Sequence, residues 1–159
     1  MEKIFFEIYI EDKIESVFHS VAESPEIFPK LFRGFFPFIT SIEKIETENN
    51  EAMKEGILRT LTMGDGSKVK ERVLVHKSPF NQKYEMAEMN LTQELFLFNM
   101  IGEFILKEES GKVLVRWEYS FFPTKKIITK IGIGLLIWAF GKAMKNCLDN
   151  LKKFHEVKK

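Results

Sequence analysis

Residues 56–75 read GILRTLTMGDGSKVKERVLV, two alternating runs on either side of the turn Gly64-Asp65-Gly66. In the second run Val69, Glu71, Val73 and Val75 share one face, and Lys68, Lys70, Arg72 and His76 share the other with Leu74. Side chains of a strand alternate between its faces, so the valine face is the inner one and it takes Glu71 with it. In the first run Ile57, Arg59, Leu61 and Met63 share a face, which takes Arg59 inside. A three-residue hairpin loop with glycine at its left-handed position is a common connection. It sets Met63 opposite Ser67, Leu61 opposite Val69 and Arg59 opposite Glu71. A two-residue loop would set each inner face against an outer one. The expectation is an antiparallel hairpin whose concave face carries Arg59 paired with Glu71. Such a pair either fixes sheet register, or lets its arginine snorkel to solvent, or orients a ligand's hydroxyl, carbonyl or carboxylate.

The same pattern continues outward. A first strand at 3–10 is followed by strand candidates at 38–47, 55–63, 67–77, 81–90, 96–108 and 112–122. Turn residues at Glu48-Asn49-Asn50, Ser78-Pro79-Phe80-Asn81 and Glu109-Ser110-Gly111 separate them. Connections this short join antiparallel neighbours. Ile14, Val17, Phe18 and Val21 recur at helical spacing and predict a helix over 13–22. Ser24 as N-cap and Pro25 at the first position predict a second short helix with Phe28, Leu31 and Phe32 on its apolar side. Residues 125–157 form one long helical pattern, with Ile133, Phe140, Met144, Leu148 and Leu151 along one side and Lys142, Lys145 and Asp149 elsewhere. The expected fold is α+β: a curved antiparallel seven-stranded sheet, two short helices, and a long C-terminal helix closing a hydrophobic cavity. No repeat or linker divides residues 1–159, so a single domain is expected.

Composition narrows the function. Hydrophobic residues make up 45% of the 159 and charged residues 30%, ordinary for a globular protein. A net charge of +1 supplies no global field for nucleic acid. The 16 phenylalanines, against 3 tyrosines and 2 tryptophans, fit a dense core or an apolar cavity. The lone Cys147 allows neither a disulfide framework nor a cysteine-based metal site. With no secretory signal pattern at the start, a cytoplasmic protein is expected. The run Ile131–Phe140 is too short to span a bilayer.

Two further strands add to the concave face. Val113, Val115, Trp117, Tyr119 and Phe121 alternate with Leu114, Arg116, Glu118 and Ser120, and Tyr84 and Met86 alternate with Lys83 and Glu85. Phe140 and Met144 are the helix residues facing them. Strand 96–108 is apolar on both faces, so its inner side is open. His19 falls on the polar side of its helix, His76 on the outer face of its strand, and His155 near the chain end, so no histidine is expected to act as a base in the cavity. Serine and cysteine nucleophile motifs, phosphate-binding loops and metal clusters do not appear, and no cofactor is expected. Phe28, Phe32, Phe35, Phe36 and Phe38 crowd one loop. The pattern assigns Phe28 and Phe38 to plugging the core, and Phe35 and Phe36 to a gate or, with Lys125, Lys126 and Lys130 around it, a tip touching membrane transiently.

These pieces, in this order, resemble the START and birch-pollen-allergen-like (SRPBCC) superfamily, closest to its polyketide cyclase/dehydrase and lipid-transport branch. The resemblance rests on Ile10 to Phe18, on Gly56-x-x-Arg59-Thr-Leu-x-x-x-Asp65-Gly66 with Glu71-Arg72-Val73, and on Tyr84. It continues through Gly102-x-Phe104, the aromatic alternation from Val113 to Pro123, and Leu148-x-Asn150-Leu151-Lys152. It implies a helix-grip fold around a tunnel for lipids, sterols, hormones, polyketides or quinones, with Leu61, Met63, Val69 and Glu71 facing the ligand. The segment from Phe32 to Pro37 departs from the Trp/Pro pattern of that branch. The expected function is binding or carriage of a hydrophobic small molecule. The alternatives are a polyketide cyclase or dehydratase using Glu71 or a tyrosine, and an interaction module using the Phe-rich loop.

Overall fold

The computed structural model describes residues 1–88, 98–123 and 129–157. The order is β1 (Glu2–Ile10), α1 (Ile14–Phe18) running into a wide helical turn (His19–Glu23), α2 (Phe28–Leu31), β2 (Ile42–Thr47), β3 (Leu58–Met63), β4 (Lys68–Lys77), β5 (Asn81–Glu88), β6 (Phe98–Glu109), β7 (Lys112–Pro123) and α3 (Thr129–Glu156). The strands form one antiparallel sheet in the order β1-β7-β6-β5-β4-β3-β2. Consecutive hairpins build β2 to β7, and β1 returns to pair with β7 from Glu2↔Phe121 to Ile10↔Val113.

One face of this sheet is apolar and packs under α3. Val113, Val115, Trp117, Tyr119 and Phe121 of β7 are all buried, as the alternation predicts. On β6 the inner set is Met100, Gly102, Phe104 and Leu106, which settles the side that the pattern leaves open. Helix α3 buries Ala139, Ala143, Met144, Cys147, Leu148 and Leu151 against it. Fully burying a side chain such as Phe104 or Phe121 contributes about 2–3 kcal/mol. No helix among the described residues is long and apolar enough to cross a membrane.

The central hairpin has the expected register. Arg59 pairs with Glu71 and Leu61 with Val69, and the Met63 N–H donates to the Ser67 carbonyl across the turn, where Gly66 has φ +83°. Several boundaries differ. Residues 38–41 are not strand: Phe35 and Ile39 exchange backbone hydrogen bonds in a tight loop, and β2 begins only at Ile42. The second helix begins at Phe28, not Pro25. Ser24 does cap, its Oγ accepting from the Ile27 N–H at 3.1 Å, but the intervening residues form a turn. The strand ends expected at 89–90 and 96–97, and the helix start expected at 125–128 with Lys125 and Lys126, lie outside the described residues.

One misreading has a clear cause. His76 is not on the outer face. A β-bulge between Val73 and Val75, in the pairing of β4 with β5, adds one residue and reverses the alternation beyond it. His76 therefore lies opposite the fully buried Gln82 and packs its ring 5.7 Å from that of Phe18.

Candidate functional site

Neighbouring strands bring Arg59, Glu71, Gln82 and Tyr84 together on the concave face. Arg59 Nε and Nη2 each donate to Glu71 Oε2 at 2.7 Å. The two residues are 5% and 3% exposed, so the arginine does not snorkel to water. Gln82 takes the third donor. With its amide nitrogen donating to His76 Nδ1 (3.0 Å) and to the Ala22 carbonyl (2.9 Å), its oxygen accepts from Arg59 Nη1 at 3.2 Å. The opposite orientation would set oxygen against a carbonyl and nitrogen against a guanidinium. His76 thus accepts at Nδ1 and carries its proton on Nε2, 3.6 Å from Glu23 Oε1. The guanidinium also lies over the Tyr84 ring, 4.6 Å from its centroid. Burial opposes the arginine's charge, but the neighbouring Glu71 carboxylate outweighs it and raises the Arg59 pKa.

The second half of the cluster is aromatic. Tyr84 Oη accepts from Trp117 Nε1–H at 3.0 Å and lies 2.9 Å from Tyr119 Oη. Tyr84 can lie across β6 only because its cross-strand partner is Gly102, where a Cβ would fall 2.5 Å from the tyrosine ring. Burial, reinforced by nearby negative charge, pushes both phenols well above their ordinary range. They stay protonated and serve as donors, not bases. Two hydroxyl protons share one mutual hydrogen bond, so one O–H has no partner among the described residues. Glu71 Oε1 likewise accepts no hydrogen bond among them. Among the described residues the tyrosine pair therefore has a spare donor and Glu71 a spare acceptor. Around them are Leu61, Val69 and Phe104, with the Phe140 ring 4.7 Å from that of Tyr119.

The other expected site residues are distributed. Met63, Met86 and Phe140 are half-buried against the core, and Met144 is fully buried under α3. Phe28 is buried, as a core plug would be. Phe38 is not: it is 48% exposed, because the loop turns its ring onto Phe35 and Trp138 and away from the core. Phe36 is 92% exposed. Phe121, at the end of β7, is core and packs against Phe140.

Sequence reasoning missed Gln82, His76 and Gly102 as parts of the site, and a second polar group altogether. His155, fully buried near the end of α3, lies with Nδ1 2.6 Å from Asp12 Oδ2 and Nε2 3.0 Å from Ser20 Oγ. Ser20 also donates to the Ser16 carbonyl at 3.1 Å. The order of groups is that of a nucleophile relay, but Ser20 is 2% exposed inside a helical turn, out of reach of any acyl group. The cluster clasps the end of α3 to α1. Hydrogen bonding from His155 holds the Asp12 carboxyl below its usual range. Among the described residues, no group of His, Cys, Asp or Glu is placed to hold a metal ion.

No protein-family model and no curated protein matches the chain. Solved structures do. Ginseng major latex-like protein 151 from Panax ginseng aligns with a TM-score of 0.72 at 12% identity, over 97% of each chain. Ara h 8.0201 aligns at 0.70 and 11% identity, over 98% of each chain. This chain has the helix-grip fold of the START and birch-pollen-allergen-like superfamily. The protein XoxI from Bacillus cereus also shares the helix grip, at a TM-score of 0.64 and 21% identity, over 98% of this chain and 96% of that one. At these identities the likeness establishes the helix-grip fold, and the polar cluster stands on this chain's own residues.

Proposed function

We propose that this helix-grip protein binds an apolar small molecule between its concave face and α3, with the molecule's polar end at the Tyr84–Tyr119 pair and Glu71. The observation that carries this is the pair of valences unfilled among the described residues, a tyrosine O–H without a partner and Glu71 Oε1 without a donor, beside the apolar Leu61, Val69 and Phe104. A buried polar group left unsatisfied costs about 1–3 kcal/mol, which a matching ligand recovers. Arg59 holds the Glu71 carboxylate in place and commits three of its five N–H groups, two reaching Glu71 from Nε and Nη2 and one reaching Gln82 from Nη1.

This chemistry selects the ligand's head. A hydroxyl both accepts and donates, and satisfies tyrosine and Glu71 together. A carboxylate would meet a like charge at Glu71. Isoprenoid, sterol-like or polyketide alcohols fit better than fatty acids. The half-buried Met63, Met86, Leu136, Ile137 and Phe140 supply the apolar wall.

The test is native mass spectrometry of protein purified from its own host, followed by denaturing extraction. A bound neutral molecule with a single polar end is expected. Recovery of only fatty acids would overturn the assignment of the head group.

A further inference from the structure

The helix-grip interior leaves one surface unexplained. At the N-terminal half of α3, Leu135 and Trp138 are 50% and 49% exposed, and beside them the loop after α2 presents Phe36 at 92% and Phe38 at 48%. The rings of Phe35, Phe38 and Trp138 pack on one another, with Phe35 5.4 Å from Trp138 edge to face and Phe38 6.1 Å from it. The loop is held in place: Phe35 and Ile39 exchange backbone hydrogen bonds at 2.8 and 2.9 Å, and Gly34 takes φ +75° with no room for a Cβ against the Ile39 carbonyl. A rigid tip that exposes large apolar rings is a surface built for contact, because water is a poor solvent for it.

Charge identifies the partner. Along α3, Leu135, Trp138, Lys142 and Lys145 follow at spacings of three and four and are all exposed, so one stripe runs from apolar to basic. Residues 119–148 contain five lysines and none of the chain's 23 acidic residues, although the whole chain is nearly neutral. Glu43, the first acidic residue after the loop in the sequence, accepts from Ser41 Oγ at 2.6 Å and lies 4.0 Å from Arg33. Apolar side chains leading, with lysines one to two turns behind, match the depth profile of a lipid interface: rings enter the acyl boundary and ammonium groups stay at the phosphates.

We propose that this tip, formed by Phe36, Phe38, Leu135 and Trp138 and backed by Lys142 and Lys145, docks on an anionic lipid bilayer. Contact is peripheral and reversible, because the apolar area is small and the basic residues few.

The two tryptophans supply the readout. Trp117 is buried and Trp138 is half-exposed, so only Trp138 reports a change of solvent. The full chain is titrated with phosphatidylcholine vesicles with and without phosphatidylserine, by tryptophan emission and by flotation. A blue shift and co-flotation are expected with the anionic vesicles, falling steeply with salt, and W138F removes the shift. F36S weakens partition roughly tenfold. Each charge removed by K142Q or K145Q weakens it about fivefold. Circular dichroism of these surface variants confirms that they fold. No flotation with anionic vesicles overturns the proposal. So does equal flotation of wild type and F36S, or a shift that follows protein concentration without vesicles, which would make a second copy of the chain the partner.

Discussion

Replacing Glu71 with leucine removes the oxygen that receives both Arg59 N–H groups. The guanidinium, 5% exposed, would keep only the Gln82 oxygen and the face of Tyr84. An unpaired buried charge costs about 3–5 kcal/mol. At about 2–4 °C per kcal/mol for a chain of this size, the melting temperature should fall by roughly 6–20 °C. The double variant Arg59→Met/Glu71→Leu removes both charges. It still leaves the Gln82 oxygen without its donor, at about 1–3 kcal/mol. Replacing a buried ion pair with packed apolar groups is often neutral or stabilising by about 1–4 kcal/mol, which offsets this. The double variant should therefore sit within about 2 kcal/mol of wild type and above the single one. Urea unfolding followed by circular dichroism measures all three. If the double variant is as unstable as Glu71→Leu, or if Glu71→Leu loses less than about 1 kcal/mol, the pair is not desolvated and the reasoning is wrong.

Gly102→Ala should push the Tyr84 ring off β6, at an overpacking cost of about 1–3 kcal/mol, and should change the near-ultraviolet signal of Tyr84 and Trp117. An unchanged spectrum would mean that the ring does not lie against Gly102. Asp12→Asn should be destabilising at neutral pH. A carboxylate with a depressed folded pKa contributes fully above its unfolded value, and the contribution is lost as pH falls through the folded one. The gap between wild type and Asp12→Asn in urea midpoint should therefore narrow as pH falls below the usual carboxylate range. A gap that stays constant under acid would remove the His155 clasp from consideration.

The sheet and its polar pair are legible in the sequence because two constraints coincide at 56–75: the loop length and the alternation on each side select one register. The aromatic face of β7 is legible for the same reason. What alternation cannot carry is the bulge at Val73–Val75, where one added residue moves His76 inward against Gln82. Gly102 had a usable signal, since a glycine inside a strand marks a bend or a close approach, and here it faces Tyr84. His155 had none. Its burial depends on α3 ending beside Asp12 and Ser20, over a hundred residues earlier in the chain. Phe38 was misplaced because ring-on-ring packing with Phe35 and Trp138 substitutes for burial in the core.

The most direct test of the proposed binding compares a long-chain alcohol with the alkane of the same carbon skeleton, each displacing an apolar fluorophore from delipidated protein. The alcohol should bind about tenfold more tightly to wild type, the value of one well-made hydrogen bond in a buried site. Tyr84→Phe/Tyr119→Phe, which removes both hydroxyls, should lower that preference while leaving the alkane unchanged. Equal affinity of alcohol and alkane for wild type, or an undiminished preference in the double variant, would contradict a polar anchor at the tyrosine pair and Glu71.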